Sequence, residues 1–314
     1  MNNNQLHRYH VHTIGSVANE TLMHAKLATV MGITSRGIFL KIGDNQIVFL
    51  SFENFRGPMT LNVEGQPPAL DKRSMGGLVQ ISPGLITILE ANLTISTQGA
   101  TIWQPETASP VIFQHAECLI RIKNFAQEAH QHKQGAGLSG LLPSLLSAPF
   151  VGFPSNQHTQ DVWDTDIQTI RQGLFRFDVP ATIKITENIL GRGAGLTPSG
   201  DDFLIGLLLA LNRWEAVFGP NDQLQNLNEK IISVAYTKTT TLSANLIECA
   251  ARGLADERLI NALDYLMTGA NAAENTLSEL LNWGNSSGVD ALVGMIVAVL
   301  SRLSQPRSSF TDRK

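Results

Sequence analysis

Short apolar runs broken by turn residues fill the first third of the chain, whereas its second half repeats apolar residues at helical spacing. Residues 37–43 and 46–52 are strand-like runs flanking Asp44-Asn45, a strong hairpin signal. Further strands are expected at 78–81, 85–89, 93–97 and 101–103, separated by Ser82-Pro83-Gly84, Glu90-Ala91-Asn92 and Gln98-Gly99. Ahead of these runs, residues 19–31 read as a helix within the same domain, with Leu22, Ala25 and Ala28 on one face. A second helix is expected over 116–133, where Leu119, Ile122 and Phe125 recur at helical spacing. Residues 134–160 are rich in Gly, Ser and Pro, with Leu141, Leu145 and Phe150 for local ordering, and read as a junction that is either a linker or a lid. Helices are then expected over 161–176, 180–190, 199–217, 222–236, 240–253, 256–268, 273–283 and 287–303. Asp178 before Val179-Pro180 is a helix start, and Gly253, Gly269 and Gly284 are stops.

The expected fold class is α+β: an N-terminal β-rich domain (a small antiparallel sheet or barrel) over 1–133, the junction 134–160, and a mostly α-helical domain over 161–314. A length of 314 residues with 43% hydrophobic and 16% charged residues supports two globular domains with real cores. A net charge of −4 gives no electrostatic case for nucleic acid or an anionic membrane. The longest apolar runs, 203–211 and 291–300, fall far short of a membrane span, and no signal peptide is readable, so a cytoplasmic protein is expected.

Candidate chemistry concentrates in residues 191–206. Gly191, Gly193 and Gly195 lead through Thr197, Pro198, Ser199 and Gly200 to Asp201, Asp202 and an apolar run. Ser199 and Asp202 have the spacing of a capping box, so a flexible loop feeds a capped, buried helix. Such a start presents free N–H groups to an anion; the competing reading is a tight turn and close helix packing. The spacing fits neither a P-loop nor a dinucleotide fingerprint, and no cofactor is expected. An internal echo follows: Ser-Gly-Asp-Asp-Phe-Leu-Ile-Gly at 199–206 and Ser-Gly-Val-Asp-Ala-Leu-Val-Gly at 287–294 agree at five of eight positions. Either the echo is chance or convergent capping, or two such helices, each with a glycine one turn further in, cross closely and bring both N-termini to one place.

Asp202 and Asp290 read as caps or as catalysts. Asp201 has Val289 as its echo, so capping does not require it, and it is a candidate general base or substrate-positioning carboxylate. Arg192 is either its counter-charge or a solvated loop residue. Thr240, Thr241 and Ser243 supply a helix cap or anion-holding hydroxyls, and Ser287 with Gly288 has the same ambiguity. His7, His10 and His12, like His130 and His132, lack a completing Cys or carboxylate, so no metal site is expected. All eight histidines precede residue 160, which disfavours Ser–His or Cys–His catalysis in the helical half and leaves Cys249 as core.

These motifs resemble the AllH-type family, named for a subunit of oxamate carbamoyltransferase in anaerobic allantoin breakdown, a branch of purine degradation. The resemblance rests on residues 195–202 with Leu204 and Gly206, on Gly284-Asn-Ser-Ser-Gly-Val-Asp290 with Leu292 and Gly294, and on residues 240–243 leading to Leu246, Ala250 and Gly253. It covers about 185–300. It implies assembly with AllF-like and AllG-like subunits, and transfer of a carbamoyl group between oxalurate and phosphate to give oxamate and carbamoyl phosphate. Small anionic substrates, a carboxylate and a phosphate, are then the ligands, and donors aimed at the carbonyl oxygen are required. The Ser-Thr-Arg-Thr phosphate motif of other carbamoyltransferases is absent, so either the family binds carbamoyl phosphate differently or another subunit does. The alternatives are a non-catalytic ligand-binding or assembly subunit, or a phosphate- or nucleotide-dependent enzyme of other specificity.

Overall fold

The computed structural model describes residues 7–68, 74–108, 114–147, 162–218, 221–270 and 275–303. The chain divides into two compact units, residues 1–106 with 254–257, and residues 107–253 with 258–314.

The first unit is a barrel. Its strands are β1 (His7–Gly15), β2 (Leu27–Thr34), β3 (Gly37–Ile42), β4 (Gln46–Ser51), β5 (Thr60–Val63), β6 (Leu78–Ser82), β7 (Leu85–Ile88), β8 (Leu93–Ser96) and β9 (Thr101–Trp103), with helix α1 (Ser16–His24) after β1. The sheet order β5-β4-β3-β2-β6-β7-β8-β1 closes because β1 also pairs with β5, through Val11↔Val63 and Ile14↔Leu61. That makes a ring of eight strands, and β9 runs along β1 beyond the end of β8. Most pairings are antiparallel, as expected, while β1–β8, β1–β9 and β4–β5 are parallel. Alternation sends Ile38, Leu40, Leu50, Leu61, Val79 and Ile95 inward to a continuous apolar core. Closure removes the free edges that an open sheet leaves unpaired.

One expectation fails here. Residues 19–31 are not a single helix: α1 ends at His24, and Leu27–Thr34 is strand β2. Ala28 and Val30 alternate into the barrel, and β-branched Thr29, Val30 and Ile33 suit a pleated surface better than a helix.

The second unit is helical. It comprises α2 (His115–His132), α3 (Leu142–Ser147), α4 (Val162–Arg176), α5 (Val179–Ile189), α6 (Ser199–Arg213), α7 (Glu215–Phe218), α8 (Asn221–Lys238), α9 (Thr241–Ala251), α10 (Glu257–Thr268), α11 (Thr276–Leu281) and α12 (Ser287–Leu303). Phe150 and most of the remaining Gly/Pro/Ser-rich stretch lie outside the described residues. The helix expected over 199–217 is broken at Trp214, whose indole N–H reaches Asp264 beside the two-pronged Arg213–Asp264 pair. Asp178 caps α5 by accepting from the Ala181 N–H at 3.0 Å.

Helices α6 and α12 form the centre, with residues 200–211 and 288–301 buried on every side. Their crossing is reciprocal. A Cβ on Gly206 would lie 1.9 Å from the Ala291 carbonyl oxygen, and one on Gly294 would lie 1.9 Å from the Phe203 carbonyl oxygen. Because 203 echoes 291 and 206 echoes 294, the internal repeat is a packing device with approximate two-fold character. Each glycine lets the partner backbone come into contact where any side chain would push it away. Gly206→Ala and Gly294→Ala should each lower stability by roughly 1–3 kcal/mol or more, read as a fall in the urea midpoint. Gly43→Ala, whose site has open space, should be milder despite its positive φ of 56°; equal effects would refute the close crossing.

Candidate functional site

The crossing of α6 and α12 gathers three fully buried carboxylates, Asp201, Asp202 and Asp290, at their N-terminal ends. Four chain segments wrap them. The loop 191–198 needs glycine at Gly191, Gly193 and Gly195, whose φ angles are 73°, 123° and 103°. Residues 193–196 of that loop are exposed.

The expected capping box does not form. Pro198 occupies the N-cap with φ −58° and ψ 149°, and no side chain caps α6. Ser199 is therefore already inside the first turn, and its hydroxyl turns to the other helix, where it favours the charged form of Asp290. Ser287, its echo at the start of α12, does the same for Asp202. Thr197 completes this link, donating to Asp202 Oδ2 at 3.1 Å and lying 3.2 Å from Ser287 Oγ.

Asp201 plays a different part. Its Oδ1 accepts from the Gly191 N–H at 2.8 Å and its Oδ2 from the Thr239 hydroxyl, with Ser243 alongside. It therefore ties the base of the glycine loop to the segment entering α9. The neighbouring Thr240 caps α9 by accepting from the Ser243 N–H at 3.1 Å, and its hydroxyl donates to the Leu196 carbonyl. Thr241 follows as the first residue of α9. Arg192 sends its charge elsewhere: Nη1 lies 2.8 Å from Asp166 Oδ2, Nη2 donates to the Asn188 carbonyl, and the guanidinium stacks 4.6 Å from the Trp163 ring centroid.

The loop after α2 provides the fourth wall, which the sequence reading assigned to a junction. The Leu138 N–H donates to Asp290 Oδ1 at 2.6 Å. Gly137, at φ 48°, lies so close that a Cβ there would overlap the Asp290 carboxylate at 2.1 Å. The Gly-Ala-Gly spacing at 135–137 was the available signal; nothing local indicates that a carboxylate 150 residues on needs it.

Several of the N–H groups at both helix starts have acceptors within the chain. Gly200 donates to the Arg192 carbonyl, and Asp201 and Asp202 to that of Pro198. Gly288 donates to the Trp283 carbonyl and Asp290 to that of Ser286. Gly200 and Gly288 also seat their Cα positions against the Ile189 and Leu280 carbonyls.

Burial pushes all three carboxyls above the ordinary range. For Asp202 it outweighs the Ser287 bond, and the nearby Asp290 and Asp201 charges add to it, bringing it to about 8. Burial is also the main cause for Asp201 and Asp290, opposed by the Gly191 and Leu138 N–H bonds respectively. Asp202 Oδ1 and Asp290 Oδ2 are buried without a hydrogen-bond partner. At neutral pH Asp202 thus holds a proton beside an acidic neighbour, the arrangement of a buried proton donor. Among the described residues no group of three His, Cys, Asp or Glu side chains is arranged to hold a metal ion, and no helix is long and apolar enough to cross a membrane.

Barrel and helical unit together define an α+β protein whose polar cluster sits at paired helix N-termini. Residues 189–299, which carry both halves of that pair, match the family described as oxamate carbamoyltransferase subunit AllH. The match bears out the resemblance read from residues 195–206 and 284–294. No solved structure gives a significant match to the chain.

The carboxyl of Asp202 generates a pH prediction. Its native pKa of about 8 lies above its ordinary 3.8, so between those values the folded state binds the extra proton. Its contribution to stability is then fully present below pH 4 and declines as pH rises to 8, by at most about 1.4 kcal/mol per pH unit. Asp202→Asn should remove that slope from the denaturation-derived stability between pH 5 and 8. A slope unchanged from wild type would place the proton elsewhere.

Proposed function

We propose that this chain is the AllH-type subunit of an oxamate carbamoyltransferase, acting with AllF-like and AllG-like subunits on a carbamoyl group exchanged between oxalurate and phosphate. The supporting observation is that the family match spans both helices whose N-termini meet at the buried carboxylates. In the direction of oxalurate breakdown, a phosphate oxygen attacks the ureido carbonyl and the bond to the oxamate nitrogen breaks. That nitrogen leaves needing a proton. Asp202, protonated at neutral pH, is the group with one to give, and the Thr197 and Ser287 hydroxyls would stabilise the carboxylate it leaves behind. Substrate would reach it under the exposed residues 193–196, with Gly193, Gly195, Thr197 and Ser199 lining the approach and Asp201 setting the loop's base.

A second reading is favoured by one observation: the Gly200, Asp201 and Gly288 N–H groups, which would help cradle an anion, are hydrogen-bonded to the chain's own carbonyls. On that reading the cluster locks the α6–α12 crossing, and the chain contributes assembly or ligand binding while another subunit does the chemistry.

Co-expression with AllF-like and AllG-like subunits separates the two. Formation of carbamoyl phosphate from oxalurate and phosphate should drop at least about tenfold in kcat for Asp202→Asn, with the complex still intact by size-exclusion chromatography. Full activity in an intact complex would favour the assembly reading. Failure of the three chains to associate would remove the subunit reading itself. Phosphate and oxamate titrated against the chain alone should distinguish wild type from Ser199→Ala and Asp201→Ala; identical binding would take the anion site away from this end of the helices.

A further inference from the structure

We propose that the helical unit carries a second site, for a small monoanionic carboxylate, built around Arg302 at the far end of α12. A narrow cleft, open to solvent at its mouth, is lined by Leu174, Phe177, Leu211, Leu224, Leu227 and Arg302, with Thr182 and Gln223 as its other polar residues. It lies twelve residues along α12 from Asp290, about 18 Å at the helical rise, so it is separate from the carboxylate cluster.

The arginine is the unusual component. Its Nε and Nη1 are buried and meet no hydrogen-bond acceptor, and among the described residues no carboxylate pairs with it. Burial draws its guanidinium down to about 10, so it remains a cation at neutral pH. An arginine in the last turn of a helix ordinarily bonds the terminal carbonyls or extends into water. Here two donors do neither. An unpaired buried donor on a cation is costly, and an anion is the group that relieves the cost.

A second feature supports the assignment. Phe177 sits between α4 and α5 at φ 57°, a conformation that bulky side chains avoid. Its ring lies 3.7 Å from the Arg302 guanidinium carbon, covering one face of the plane and leaving the edge donors for a ligand. Strain of this kind persists where the surroundings hold it and collects at ligand-binding places.

Charge and shape set the ligand class. One cation balances one negative charge, so a dianion would be left half-compensated in a mostly apolar cleft. The leucine walls and the narrow interior suit a short hydrocarbon body behind a carboxylate, whose two oxygens match the guanidinium.

Calorimetric titration of sodium propionate against the whole chain at fixed ionic strength tests this, with sodium phosphate and sodium chloride as parallel probes and methyl NMR reporting on Leu211, Leu224 and Leu227. Propionate should bind and shift these methyls, bind at least about tenfold more weakly to Arg302→Met, and retain part of its affinity for Arg302→Lys. Leu227→Trp, which fills the cleft and leaves the arginine, should also abolish binding; it stands as the independent variant if Arg302→Met does not fold. Tighter binding of phosphate than propionate would overturn the carboxylate class. Equal propionate affinity in wild type and Leu227→Trp, or no methyl shifts with any anion, would overturn the site.

Discussion

The helical unit depends on the contact between two backbones at Gly206 and Gly294. Each glycine sits on the partner helix's carbonyl, which allows α6 and α12 to run together closely enough that both are buried on every side. A helix with no solvent face cannot be amphipathic, and its long apolar runs follow from that position. The polar residues that remain are forced to the helix starts. There they face one another across the crossing, Ser199 favouring the charged form of Asp290 and Ser287 that of Asp202. The repeat of eight residues is thus the same solution used twice about one approximate axis.

That geometry makes the carboxyls chemically distinct. A carboxylate at a helix N-terminus is usually stabilised in its charged form by the free N–H groups there. In this protein loop carbonyls of Arg192, Pro198 and Trp283 take up the Gly200, Asp201 and Gly288 N–H groups, and burial outweighs the hydrogen bonds that oppose it. Asp202 consequently retains a proton into the neutral range. The three loops and the Gly137-Leu138 segment do more than close the site: by taking up the N–H groups and excluding water they set its proton affinity. Asp201 anchors this arrangement by joining the glycine loop to the start of α9.

Much of the fold was legible from periodicity. Strands from β3 onward, apart from the short β5, stood out as apolar runs between turn residues, and the helices of the second unit, apart from α3 inside the expected junction, were recovered to within a few residues. The strand β1 was hidden because His7, His10 and His12 dilute its alternation. The strand β2 was read as helix because Leu22, Ala25 and Ala28 happen to share helical spacing across the turn between two elements. Trp214 ended α6 early through a bond to Asp264, fifty residues away, that local sequence does not announce. At the site, the echo correctly indicated two glycine-bearing helices meeting, while the capping box was a local reading that the crossing replaced.

Local sequence by itself determined the alternation that makes a barrel wall, the apolar helices, the glycines that permit positive φ, and the two matching helix starts. These follow from short-range sterics and from the periods of strand and helix. Tertiary structure alone decided that Ser199 and Asp202 serve the opposite helix instead of their own, that Arg192 belongs to Asp166, that Gly137 closes over Asp290, and that Arg302 lies beside Phe177 in a cleft. Each of these joins residues far apart in the chain. Their energies come from burial and from which donors find acceptors, and neither quantity exists until the chain has folded.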